Sequence, residues 1–250
     1  MYILLLSITL ILLAVLVTIS ALSEKKYRNV VLTEKMRCRD YYQTIVMLWG
    51  MALIVIVTCL IININLGDIG LRLISFNYNI WFTVVILALS GLVIIFFIVQ
   101  TIQLLTNEKA REETKKKIAT GEGAGQILPR TKKEKRIFVL LSLTAGVCEE
   151  IVFRGFLVFL LQSVFPGIPI YLIVLIASVI FGLCHFYQGW TGILKTGATG
   201  AFFLCLILAT NSLILAMILH FLVDASSVFL LDEEGSEKQQ ETDTENEMLN

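Results

Sequence analysis

The 250-residue sequence predicts an all-α polytopic membrane protein of about seven transmembrane helices. Three observations predict it. Apolar residues make up 57% of the chain, too many for a soluble domain. They fall in blocks of about twenty, the length at which a helix spans the hydrocarbon core of a bilayer. Charges collect between the blocks, in basic loops and an acidic tail. The formal net charge of zero hides that segregation and says nothing about partners. The lipid bilayer is the partner implied, and no nucleic-acid partner is expected.

Tyr2 to Leu22 is the first predicted span, followed by a basic segment with Lys25, Lys26, Arg28, Lys35, Arg37 and Arg39. Ala21-Leu22-Ser23 loosely resembles a signal-peptide cleavage site. The apolar part is long and no Lys or Arg precedes it, which favours an uncleaved helix. Thr44 to Leu66 spans again. Gly67 to Asn79 is a short connection in which Leu71, Leu73, Ile74 and Phe76 are expected to rest on the membrane surface. Ile80 to Leu105 is the third span. Asn107 to Arg136 carries ten Lys/Arg against five Glu around Gly121-Glu122-Gly123-Ala124-Gly125, and reads as a solvated, flexible loop.

The two basic loops are separated by two spans, so the positive-inside rule places both in the cytoplasm and the amino terminus outside. The fourth span, Ile137 to Phe165, ends at Pro166-Gly167-Ile168-Pro169, a turn signal. Ile168 to Phe186, Ile193 to Ala209 and Asn211 to Leu231 complete the seven. This count leaves the carboxyl terminus in the cytoplasm of a plasma-membrane protein. Three regions are expected: an amino-terminal three-helix region, 1–126; a membrane core, 127–231; and an acidic tail, 232–250. The tail has eight acidic residues and one lysine after Leu231, a composition that predicts disorder. The five cysteines show no zinc or redox spacing and read as small buried hydrophobes.

Function points to the fourth span. Glu149, Glu150 and Arg154 lie inside its apolar run, and on an insertion scale three such charges cost roughly 9 kcal/mol, against about 8 kcal/mol gained from the Leu, Ile, Val and Phe around them. They must therefore face protein or a wet cavity, and ionisable groups held there mark a functional site. On a helix Glu150 and Arg154 stand four apart and can pair. Glu149 is rotated about 100° away and faces something else. The only two histidines, His185 and His220, also lie in predicted spans. Phe181 precedes His185 by four residues and Asp224 follows His220 by four, so each pair shares a helix face. By depth, Glu149 and His220 agree, whereas His185 differs by on the order of 15 Å at 1.5 Å per residue. Either the fifth helix continues through Tyr187 and Trp190, or the fourth begins lower, with Lys132 to Arg136 as its first turns.

Glu149-Glu150-Ile151-Val152-Phe153-Arg154, then Phe181-Gly182-Leu183-Cys184-His185, then His220-Phe221-Leu222-Val223-Asp224 resembles the signature of a known family. This is the type II CAAX prenyl endopeptidases and their bacterial relatives, the CPBP (or Abi) intramembrane proteases. The resemblance covers about Ile127 to Leu231. It implies that Glu149 and His185 activate a water molecule for attack on a peptide carbonyl, and that His220 and Asp224 form the oxyanion side. Glu150, Arg154 and Phe181 would be supporting residues. A carboxylate sheltered from water is a better general base, and donors in a dry site stabilise developing negative charge well. An ionised Asp224 would repel an oxyanion, so its expected part is to orient His220.

The implied substrate is a membrane-associated protein or peptide, with secreted-peptide maturation or bacteriocin self-immunity as roles. No cofactor is expected. Zinc bound by Glu149, His185 and His220 is the alternative, although the His-Glu-x-x-His signature is absent. A non-catalytic scaffold and, less well, a proton-coupled transporter are the readings from other classes.

Overall fold

The computed structural model describes residues 1–29, 32–76, 78–110, 112–113 and 124–229. The acidic tail and the Gly121–Gly123 part of the basic loop lie outside the described residues, as do the side chains of Lys25, Lys26 and Arg28. The chain is all-helical, and no strand occurs among the described residues. Its helices are α1 (Tyr2–Asn29), α2 (Glu34–Ile61), α3 (Ile80–Thr106), α4 (Lys132–Glu149), α5 (Val158–Val164), α6 (Ile170–Cys184), α7 (Gly189–Thr210) and α8 (Ile214–Ser226). A π-helical run, Glu150–Leu157, joins α4 to α5 without a break.

Among the described residues, four helices are long and apolar enough to cross a membrane: Tyr2–Glu24, Glu34–Ile61, Ile80–Thr106 and Phe186–Thr210. The structure therefore supports four candidate crossings where seven were expected. The other three expected spans do not meet that measure, for two physical reasons. The continuous helix from α4 through α5 is long enough but carries Glu149, Glu150 and Arg154 at its centre. The 15-residue α6 and 13-residue α8 reach only about 20 Å each at 1.5 Å per residue, short of a core of about 30 Å.

The first three helices bury little of their apolar surface. Val46, Trp81, Leu92 and Phe96 point outward from α2 and α3, a surface that lipid covers and water would not. Side-chain caps start two of them: Thr33 accepts the N–H of Met36 ahead of α2, and Asn79 accepts those of Trp81 and Phe82 ahead of α3.

The start of α4 lies ahead of its apolar run. Thr131 and Glu134 form a reciprocal capping box, so the helix begins at Lys132, a turn and a half before the apolar run. The fourth helix begins lower, while α6 stops at Cys184. The same Glu134 also receives Arg37 from α2 at 2.6 Å, with both side chains buried, and Arg37 donates onward to the Leu32 carbonyl. Tyr41 Oη donates to the Ile127 carbonyl one turn further along. Leu48 and Ala52 then meet Ala145 and Cys148, so α2 and α4 run parallel in close register up to the level of Glu149.

Helix α8 packs antiparallel to α4 at a glycine. A Cβ on Gly146 would lie 2.9 Å from both the Met217 carbonyl oxygen and the Phe221 nitrogen. Gly146→Ala is therefore expected to push α8 outward, with a loss of about 1–3 kcal/mol and reduced function, read by thermal unfolding in detergent. Unchanged unfolding would show that the helices have room to spare. Gly182 plays the same part between α6 and α7, where a Cβ would meet the Ile193 carbonyl oxygen at 2.6 Å.

The connection after α2 is not a surface strap throughout. Of the four residues expected at the membrane surface, Leu73, Ile74 and Phe76 are exposed but Leu71 packs half-buried against the core, and Ile64 and Ile69 are buried. Its backbone pairs with the α7–α8 turn: Ser75 N–H to the Thr210 carbonyl, 2.9 Å, and Leu213 N–H to the Gly70 carbonyl, 3.0 Å. Arg72 Nε donates to the Asn211 carbonyl and Ser212 Oγ to the Arg72 carbonyl. Gly155 admits the Ile69 carbonyl oxygen, which would stand 2.6 Å from a Cβ there. These bonds satisfy backbone that would otherwise be exposed inside the bundle.

Candidate active site

The π-helical run places the carboxylates. A π turn bonds i to i+5 and is wider than an α turn, and such turns occur frequently at functional sites. Two successive side chains, Glu149 and Glu150, both reach the imidazole of His220 on α8, from opposite nitrogens. Glu150 Oε1 stands 2.7 Å from Nδ1 and Glu149 Oε2 3.8 Å from Nε2. Glu149, set about 100° round the helix from Glu150, faces His185 as well as the far nitrogen of His220.

Glu150 is fully buried and also faces Arg154, whose Nη1 stands 3.2 Å from the same oxygen. The Arg154 guanidinium lies 3.7 Å over the Phe181 ring and against Gly200, where a Cβ would come within 2.9 Å of Nη2. A guanidinium so placed gains from the aromatic face. Glu150 is thus more than a helix-register ion pair: it connects Arg154 to His220 and fixes the histidine ring.

His185 sits at the end of α6. Its Nδ1 stands 2.9 Å from the Phe181 carbonyl, and since a carbonyl only accepts, Nδ1 carries the hydrogen. Nε2 is then the free face of the ring, 4.0 Å from Glu149 Oε2. Phe181 supports both groups, its ring 4.5 Å from that of His185 and edge-on to Phe153 at 5.1 Å. Asp224 Oδ2 stands 3.6 Å from His220 Nε2, and the side chain is 38% exposed, at the edge of the cluster. The hydrogen bond that orients His220 comes from Glu150, a part the sequence reading gives to Asp224. Asp224→Asn is accordingly expected to keep hydrolysis within about tenfold of wild type, a barrier change under about 1.4 kcal/mol. Complete loss of hydrolysis in a folded variant would contradict this placement.

All seven residues singled out from the sequence meet in one cluster, drawn from α4, the π run, α6 and α8. Two contributors carried no sequence signal of their own. Phe203 of α7, buried, packs its ring 5.4 Å from that of His220. Gly200 opens the space for Arg154 and looks like any small residue in a span. Glu149 Oε2 and Glu150 Oε2 are buried without a hydrogen-bond partner among the described residues. No group of three His, Cys, Asp or Glu side chains among the described residues has metal-holding geometry. Ligands at about 2.0–2.1 Å from one tetrahedral zinc would stand roughly 3.3 Å apart, closer than the 3.8 and 4.0 Å around Glu149.

The helices thus gather buried Glu150, Arg154 and His220 and half-buried Glu149 and His185 into one polar cluster, which defines a helical protein with a polar site between candidate membrane-crossing helices. Residues 133–226 match the family model described as Type II CAAX prenyl endopeptidase Rce1-like. The matched segment holds Glu149, Glu150, Arg154, Phe181, His185, His220 and Asp224. No curated protein and no solved structure matches the chain.

Proposed function

We propose that the chain is a metal-independent intramembrane endopeptidase that hydrolyses a peptide bond in a membrane-associated protein or peptide, with Glu149 as general base. One observation carries this reading: the spacing of 4.0 Å between Glu149 Oε2 and His185 Nε2. With Nδ1 donating to the Phe181 carbonyl, Nε2 is an acceptor, and an ionised carboxylate oxygen is one too. Two acceptors so spaced do not bond each other. A water about 2.8 Å from each donates one hydrogen to either side, which aims a lone pair away from both.

Glu149 takes a proton from that water as its oxygen attacks the peptide carbonyl carbon. The negative charge that develops on the carbonyl oxygen faces His220 Nε2, because Nδ1 is committed to Glu150. A doubly protonated His220 donates from both nitrogens, one to Glu150 and one to the oxyanion, and donors fixed in advance of the reaction are effective. When the tetrahedral species collapses, the C–N bond breaks and Glu149 returns the proton to the leaving amine. The products are a carboxylic acid and an amine.

Support for the sidedness comes from the meeting of Arg37 and Glu134, which puts the basic first turns of α2 and α4 at one face. In the proposed topology that face is cytoplasmic, the membrane is the plasma membrane, the amino terminus is outside and the carboxyl terminus is cytoplasmic. Processing of a secreted peptide, or self-immunity to a bacteriocin, is the proposed use.

Peptidomics of cells carrying wild type beside Glu149→Gln tests the reading. Cleavage products present only with wild type are expected; identical peptide populations, with biological activity intact in the variant, would leave a scaffold instead. Activity of the purified protein is further expected to survive strong chelation, and loss with chelator that zinc restores would move the chemistry to a metal.

A further inference from the structure

The first helix lies outside the matched segment, yet it reaches the candidate site. Helix α6 ends at Cys184, and the chain turns through His185 and a 3-10 turn, Phe186–Gln188, before α7 begins at Gly189. Helix α1 packs against this turn and along α6. The contact includes a half-buried polar bond: Ser20 Oγ accepts the backbone N–H of Tyr187 at 2.9 Å, two residues beyond His185. The Tyr187 ring lies 5.8 Å from the His185 ring, and its hydroxyl accepts from Gln188 Nε2 at 3.0 Å.

Depth makes this bond consequential. The turn is level with Glu149, which follows the first apolar residue of α4, Ile137, by twelve positions, about 18 Å along the helix. Non-helical backbone at such depth is tolerated only where protein satisfies its polar groups. Part of that need is met locally: His185 N–H goes to the Gly182 carbonyl and Gln188 N–H to the His185 carbonyl. The amide of Tyr187 goes to another helix, 167 residues away in sequence.

We propose that Ser20 is a positioning residue for His185, and that α1 is through it a working part of the site. The His185 ring is fixed to its own helix through Phe181, so the backbone beyond it decides whether the last turn of α6 holds its place. Ser20 pins that backbone and with it the spacing between His185 Nε2 and Glu149 Oε2. The proposal rests on reading His185 as the partner of Glu149 in holding water.

The test uses the full chain in lipid nanodiscs, as wild type, Ser20→Ala and Ser20→Thr. Three quantities are read: hydrogen exchange at the Tyr187 amide, the rate of His185 carbethoxylation by diethyl pyrocarbonate, and kcat and KM on a fluorogenic farnesylated CAAX peptide. In Ser20→Ala, exchange at Tyr187 is expected to accelerate at least roughly tenfold and the His185 modification rate to change. A misplacement of the kind that alignment-dependent chemistry feels lowers kcat by about tenfold or more with KM unchanged. Ser20→Thr keeps the acceptor and restores all three. Unchanged exchange at Tyr187 overturns the proposal, and so does faster exchange with an unaltered His185 rate and kcat. If wild type leaves the peptide intact, the protease reading is in question for that probe. The exchange and modification rates still decide the link from Ser20 to His185, upholding it if both respond and overturning it if they do not.

Discussion

Replacing Glu149 with Gln is expected to lower peptide-bond hydrolysis roughly 10²–10⁴-fold, the range that a positioned acid–base group contributes. The two side chains are nearly isosteric, so the site keeps its shape. What changes is chemistry: the amide cannot take the proton of a water held against His185. It also presents either a donor or a weaker acceptor where the carboxylate oxygen stands 3.8 and 4.0 Å from the two Nε2 atoms. Glu150 still orients His220 and Arg154 still faces Glu150, so insertion and thermal unfolding in detergent should match wild type. A folded Glu149→Gln variant with full activity would remove the general base from the account.

The largest effect on stability is expected from Arg37→Met. Arg37 and Glu134 are 2% and 0% exposed, and removing one partner of a buried pair typically costs about 3–5 kcal/mol, because the other charge is left behind. Glu134 keeps two backbone donors, the amides of Arg130 and Thr131, which hold it in place without neutralising it. The consequence travels to the site, since α4 begins at this cap and carries Glu149 at its far end. Combining Arg37→Met with Glu134→Gln keeps an acceptor for the cap and removes the stranded charge, so the double variant should recover much of the lost stability. Thermal unfolding of the two single variants and the double variant reads the coupling. Additive losses would show that the pair is not a unit.

The candidate site residues were legible as candidates because ionisable side chains are expensive inside apolar spans. Glu149, Glu150, Arg154, His185 and His220 stand out against their neighbours, and helical spacing adds Phe181 and Asp224. Their mutual geometry was not legible. A π turn has no composition of its own, so nothing in Glu150 to Leu157 announced that adjacent glutamates would reach one imidazole. The helix start was written in Thr131 and Glu134, a capping-box spacing that a search for apolar runs passes over.

The number of spans is supported only in part, for a related reason. Hydropathy registers apolar blocks, but the ends of α6 and α8 are set by turns held inside the bundle, at His185 and at Asn211 to Leu213. The bonds that hold those turns come from Ser20 and from Gly70 to Ser75, distant stretches that carry no motif.

The central claim is that Glu149 and His185 hold one water between them, with His220 facing the carbonyl it attacks. A density map of wild type in lipid nanodiscs, at a resolution that shows single waters, tests it most directly. The account predicts one ordered water about 2.8 Å from both Glu149 Oε2 and His185 Nε2. Rings turned apart, or a direct Glu149–His185 hydrogen bond that leaves no room between them, would contradict it.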